Sequence, residues 1–423
     1  MGKTLAQDVG VREVWAWAMY DFANSGYTTV VITAVFNAYF VAVVAGNAPW
    51  ATFAWTAALS VSYILVMLSA PLVGAYADAH AAKKRLLLLT TIGCVGFTAA
   101  LFFVGRGDLA AGVLMVALSN FFFATGENLI AAFLPELAQS RALGKVSGWG
   151  WSLGYCGGLL SLGVSLAYIS WAQGQGEGSE QFVPVTMLIT AALFALASLP
   201  TFLFLRERAV AKGGGHLAAS AWSRLCDTLS HASRYRDLWR FLLCIVFYQA
   251  GIQAVIALAA VYAQQAMHFD TVQTIQLIFV VNITAAAGAF AFGHAQDRLG
   301  HVRAIALTLL GWIVMIVLAA AATGPALFWL AANLAGLCLG ASQSAGRALV
   351  GYLSPPGRHA EFFGLWGLAV KLSSILGPLT YGAVSWATQG NHRLAMLCTG
   401  IYFVIGLLLL GRVDAARGHA AAS

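Results

Sequence analysis

Charge is what this chain has least of. Only 9% of its 423 residues are Asp, Glu, Lys or Arg, against about 25% in an ordinary soluble domain. Apolar residues make up 60%, so a water-soluble protein is excluded. The short alternating segments of a transmembrane barrel are missing too. Cysteine is sparse. Cys94, Cys156, Cys244, Cys338 and Cys398 fall in apolar runs and Cys226 in a central polar stretch. None forms a CxxC spacing, which argues against a disulfide framework or a cysteine metal site and leaves packing roles. No HxxxH pair, Walker A sequence or convergent Ser/His/Asp set occurs. No metal, cofactor or enzymatic chemistry is therefore expected. The first apolar segment is too long for a cleavable signal and contains Asp21, so it is expected to be retained.

Long apolar runs recur from end to end. They predict twelve membrane-crossing helices at 14–44, 52–77, 86–105, 109–134, 146–170, 182–205, 238–265, 271–293, 302–323, 326–350, 361–387 and 393–411. Each is long enough for the ~30 Å hydrocarbon core. The fold class expected is all-α, with the helices in two six-helix bundles.

The formal charge of +7 invites a nucleic-acid partner, but its placement says otherwise. Loops on one side carry Lys83, Lys84, Arg85, Arg141, Lys145, Arg206, Arg208, Arg298, Arg303, Arg358 and Arg412, while the other side holds Arg106 and Arg393. This bias predicts both termini in the cytoplasm and accounts for the basic balance without nucleic acid. The longest polar stretch, 206–237, divides the chain into an N-terminal bundle (1–205), a linker, a C-terminal bundle (238–412) and a tail (413–423). Gly213-Gly214-Gly215 loosens the linker, and Trp222, Leu225 and Leu229 suggest a helix on the membrane surface.

A weak internal repeat supports the division. Gly74-x-x-x-Asp78 followed by Lys83-Lys84-Arg85 stands after the second segment. Gly293-x-x-x-Asp297-Arg298 followed by Arg303 stands after the eighth. Duplicated halves are a known design for secondary transporters.

The most demanding stretch is Tyr20-Asp21-Phe22-Ala23-Asn24-Ser25-Gly26. Asp21 lies about seven residues, or about 10 Å, into a hydrocarbon layer. Intramembrane charge is costly and usually faces water or a partner. Glu127 in segment four is expected at the same depth, and Lys371 is the deepest cation.

The two Gly-x-x-x-Asp loops resemble the cytoplasmic signature of the major facilitator superfamily. Four further matches narrow this. Tyr20–Gly26, continuing through Thr33-Ala-Val-Phe36, resembles the first helix of the vacuole-effluxer-like (autophagy-related permease) family. Ala132-Phe-Leu-Pro135-Glu136-Leu137 resembles the end of its fourth helix. The Ser147–Gly158 run resembles its fifth, and Pro356–Gly364 with Lys371 and Leu376-Gly377-Pro378 its eleventh. The resemblance implies two mirrored six-helix bundles and transport of small solutes. It also brings the eukaryotic branch's association with amino-acid export from the vacuole. One departure is Tyr248-Gln249-Ala250, where the family often shows an Asp at the last position. Ala250 cannot carry a proton, so any coupling site must lie elsewhere.

In that frame Asp21 and Glu127 are the expected proton-coupling residues. Asn24, Ser25, Asn128, Gln249, Gln253, Asn282, Asn333, Arg347 and Lys371 are the candidate substrate-binding residues. Snorkelling or pairing with Glu361 is an equal reading for Arg347. Gating falls to Gly74, Asp78, Lys83, Lys84, Arg85, Gly293, Asp297, Arg298, Arg303 and Glu361. Asp78 is expected at the start of helix eleven and Asp297 at the start of helix five, where helix N-termini attract anions. The glycines of helix five, including Gly150 and Gly154, read as packing, and Pro71 and Pro378 as kinks.

The leading expectation is a proton-coupled carrier of an amino acid or similar zwitterion. It would be a monomer in a bacterial cytoplasmic membrane, or in a vacuolar membrane for a eukaryotic chain. Peptide, muropeptide-like or drug export is the runner-up, and a membrane sensor on a transporter scaffold the alternative of another class.

Overall fold

The computed structural model describes residues 4–209 and 235–422. The expected linker helix around Trp222 lies outside them, as does Cys226. The described residues contain twelve helices long and apolar enough to cross a membrane. They are α1 (Val11–Val44), α2 (Ala51–His80), α3 (Lys83–Phe103) and α4 (Leu109–Ala131). Then come α5 (Leu143–Gly174), α6 (Ser179–Phe204), α7 (Arg236–Met267) and α8 (Thr271–Leu299). The series closes with α9 (His301–Ala321), α10 (Pro325–Leu353), α11 (His359–Ala387) and α12 (His392–Leu410). A short α13, Ala415–Ala422, follows.

Helix α1 is not regular. It widens into π-helical turns at Thr28–Ala34 and Phe40–Val44. The first coincides with the run Thr28-Thr29-Val30-Val31-Ile32-Thr33, whose β-branched side chains crowd an α-helix. The Thr33 hydroxyl donates five residues back to the Thr28 carbonyl at 3.0 Å. Such bulges are frequent at functional sites.

The helices pack as two copies of one pattern. In the first half α1 packs on α5 and α6, α2 on α4, and α3 on α4 and α6. In the second half α7 packs on α11 and α12, α8 on α10, and α9 on α10 and α12. Adding six to each label converts one set into the other. The halves meet through α2 against α11 and α5 against α8, with α4 against α11 and α5 against α10 beside them.

At the face that carries α1's start and α12's end, each half is tied by ion pairs. Glu13 pairs with Arg208 at 2.7 Å and accepts the Arg206 backbone N–H. Asp237 pairs with Arg417 at 2.6 Å, which docks α13. Arg417 and Arg208 both hold their protons more tightly than usual, chiefly because a carboxylate hydrogen-bonds each guanidinium.

Candidate functional site

Among the described residues, two ion pairs join the halves deep inside the bundle. In the first, Arg347 on α10 donates through Nη1 to Oδ2 of Asp21 on α1 at 2.7 Å. Its Nε donates to the Ser147 hydroxyl at 3.0 Å and its Nη2 to the Ser147 carbonyl at 2.9 Å. The guanidinium carbon lies 4.7 Å from the centre of the Trp17 ring and 5.4 Å from that of Trp151. This uses the planar, multi-donor chemistry that distinguishes Arg from Lys.

Helix α5 makes room for this arrangement. A Cβ added at Gly150 would collide with the Asp21 carboxylate and come within 2.7 Å of the Arg347 guanidinium. One at Gly154 would reach the Ser25 hydroxyl at 3.0 Å. The glycines read as packing residues are thus also what lets a buried ion pair fit.

In the second pair Lys371 on α11 approaches Glu127 on α4 at 3.5 Å. The ammonium is 5.4 Å from the Tyr63 ring centre and 6.0 Å from that of Phe123. The Glu127 side chain is 26% exposed, whereas that of Asp21 is 10% and that of Arg347 3%. Glu127 is thus the more exposed of the two acids.

The expectation for Arg347 is corrected. Helix α10 continues to Leu353, so Arg347 lies deeper than its estimated end at 350 implied. It neither snorkels nor pairs with Glu361 but turns inward to Asp21. Trp17 and Tyr63 belong to the site although the sequence did not single them out, and Ser147 and Trp151 lie in the run that resembles the family's fifth helix without having been given a role in the site. The spacing of Trp17 to Asp21, one helical turn, could have flagged Trp17.

The other candidates divide. Asn24 and Asn128 are buried, with Asn24 Oδ1 and Asn128 Nδ2 lacking hydrogen-bond partners among the described residues. Ser25 faces α5. Gln249 donates to Gln343 at 2.6 Å, which ties α7 to α10. Gln253 is half-buried. Asn282 and Asn333 donate to their own helix carbonyls, Ile278 and Trp329, each at 2.8 Å. Ala250 is buried, and its carbonyl sits against Gly377 of α11.

The gating candidates form two equivalent joints. Asp78 accepts the Glu361 backbone N–H at 2.8 Å, at the start of α11. Asp297 accepts those of Gly144 and Lys145 at 3.1 and 3.2 Å, at the start of α5. A Cβ at Gly74 would strike the Ala360 carbonyl, and one at Gly293 would come within 2.7 Å of the Gly144 carbonyl. The basic residues behave differently. Lys83 pairs with Glu136, and Lys84 donates to the Leu205 carbonyl at 2.6 Å. Both contacts stay within the first half. Glu207 accepts the Lys83 and Lys84 backbone N–H groups. Arg85, Arg298 and Arg303 are exposed.

Among the described residues, twelve spans, a twofold packing pattern and charged residues facing each other across the junction make up the architecture of a multi-pass membrane transporter of the major facilitator type. Comparison with known proteins specifies it further. The profile of the family described as "Vacuole effluxer Atg22 like" matches residues 37–423, and the chain belongs to that family. It is 28% identical over 412 residues to an uncharacterized MFS-type transporter, YxiO, of Bacillus subtilis, covering 94% of each chain. It is 23% identical over 341 residues to autophagy-related protein 22 of Yarrowia lipolytica, covering 72% of this chain and 56% of that one. The chain thus spans about half the length of that fungal relative. Among solved structures, the human organic anion transporter MFSD10 superposes with a TM-score of 0.74 at 17% identity, covering 94% of this chain and 99% of that one.

Proposed function

We propose that this protein is a secondary active transporter that moves a small polar solute, an amino acid or similar zwitterion, by alternating access, with a proton as the coupling ion. The basic face is the cytoplasmic one by the positive-inside rule. The joints at Asp78 and Asp297 then hold the cytoplasmic side shut, and both must open when the bundles rock.

The observation that carries this reading is the sorting of charge within the helices. The first bundle supplies the acids Asp21 and Glu127, and the second the bases Arg347 and Lys371. Rocking requires these groups to part. A bare charge left behind in a low-dielectric site costs several kcal/mol, on the order of 3–5. A proton delivered to Asp21 neutralises the acid and releases Arg347, and a solute brings its own charges to Glu127 and Lys371. Both events lower the barrier to rocking.

The test is uptake of labelled amino acids into liposomes. Asp21→Asn is expected to abolish accumulation driven by a pH gradient while sparing exchange. Unchanged gradient-driven uptake would remove Asp21 from the coupling role.

A further inference from the structure

The duplicated frame carries opposite charges at equivalent places. Gly126 on α4 lies under the hydroxyl of Tyr20 on α1, where an added Cβ would come within 2.8 Å. Gly346 on α10 lies under the hydroxyl of Tyr248 on α7, where the same atom would come within 2.5 Å. The residue after each glycine is Glu127 in one half and Arg347 in the other. The site is therefore polarised along the line between the bundles, acid on one side and base on the other.

Its two ion pairs are not equally available. Arg347 spends three donors on Asp21 and Ser147 between two indole rings. Lys371 and Glu127 meet only at 3.5 Å, with no other hydrogen bond to either side chain among the described residues. Glu127 is also the most exposed of the four. Beside it, Asn128 holds a buried amide nitrogen without a hydrogen-bond partner among the described residues. That amide lies against Gly367, one turn before Lys371.

We infer that Glu127–Lys371 is an exchangeable pair that a dipolar solute parts, its ammonium on Glu127 and its carboxylate on Lys371, while Asp21–Arg347 stays closed as the latch between bundles until a proton reaches Asp21. This rests on the transport reading above. Replacing each partner like for like leaves no buried charge unpaired. A solute with one charge strands either Glu127 or Lys371. The Tyr63 and Phe123 rings flank the ammonium of Lys371 and give the solute's side chain an apolar wall.

The test uses three probes of one shape: leucine, leucinamide, which lacks the carboxylate, and isocaproate, which lacks the amine. Binding to the purified full-length protein is measured by competition against labelled leucine, or directly by thermal shift. Wild type is expected to prefer leucine over both analogues by at least about tenfold, the factor that about 1.4 kcal/mol represents. Glu127→Gln is expected to erase the preference over isocaproate but keep that over leucinamide. Lys371→Met is expected to do the reverse. Glu127→Asp, which keeps the charge, retains the wild-type order and guards against a folding defect. If the variants weaken all three probes alike, or leave the order intact, the subsite is wrong. Amino-acid counterflow in liposomes separates the two readings. Flux without the charge-specific switch overturns the subsite alone, and absence of both binding and flux overturns transport as well.

Discussion

Arg347 and Asp21, 326 positions apart in sequence, meet at 2.7 Å across the junction of the two halves. Both are buried. Removing one partner leaves the other charged and dry, which typically costs about 3–5 kcal/mol, whereas removing both is far milder. Arg347→Met is expected to lower the thermal midpoint sharply, and Asp21→Asn with Arg347→Met to recover much of the loss. Strictly additive effects in this double-mutant cycle would show that the two residues do not act as a unit.

The joints at Gly74 and Gly293 depend on backbone touching backbone. Gly74→Val or Gly293→Val leaves α2 or α8 unable to approach the start of α11 or α5. Either variant is expected to open the basic face. Ala70→Cys, in a background without other cysteines, reports this, because the Ala70 carbonyl is packed against Gly364. Maleimide labelling at position 70 is expected to rise severalfold in both valine variants. Labelling at the parental rate would show that the joints do not limit opening.

Asp78 and Asp297 cap helices belonging to the opposite half. Losing a capping acceptor costs about 1 kcal/mol, so Asp78→Ala is expected to shift the open fraction of that face about fivefold, at RT near 0.6 kcal/mol. Asp78→Asn keeps an acceptor and is expected to shift it less. The same labelling assay measures both, and equal behaviour of Asn and Ala would dismiss the cap.

The turns after α2 and α8 both require a positive φ but differ in ψ, 50° at Ala81 and 151° at Gly300. Ala81 sits at φ 48° and Gly300 at φ 86°, seven positions after Gly74 and Gly293 respectively. A left-handed conformation costs a residue with a Cβ about 1 kcal/mol. Ala81→Gly is expected to be neutral or stabilising by a few tenths to about 1 kcal/mol. Gly300→Ala is expected to destabilise by about 1–3 kcal/mol. Thermal midpoints that move the other way would refute the assignment.

Lys83 separates stability from gating. Its ammonium pairs with Glu136 inside the first half. Lys83→Met is expected to lower the thermal midpoint while leaving labelling at position 70 unchanged. A change in labelling with no loss of stability would return Lys83 to the gate.

The residues themselves determined the membrane solvent, the twelve spans and the twofold division, because hydrocarbon thickness and backbone hydrogen bonding leave few ways to arrange so apolar a chain. They also marked Asp21, Glu127 and Lys371, since charge at such depth is rare enough to stand out one residue at a time. Which acid meets which base was decided only in three dimensions. Asp21 and Glu127 were expected to share a depth, and in the folded bundles each is matched with a cation from the opposite half. Arg347 was misjudged because its distance from a helix end says nothing about the direction it faces, and that direction is set by the space left at Gly150. Partners hundreds of residues apart leave no periodic trace. Their pairing follows from how α1, α5 and α10 pack, which is a property of the assembled bundles rather than of any one segment.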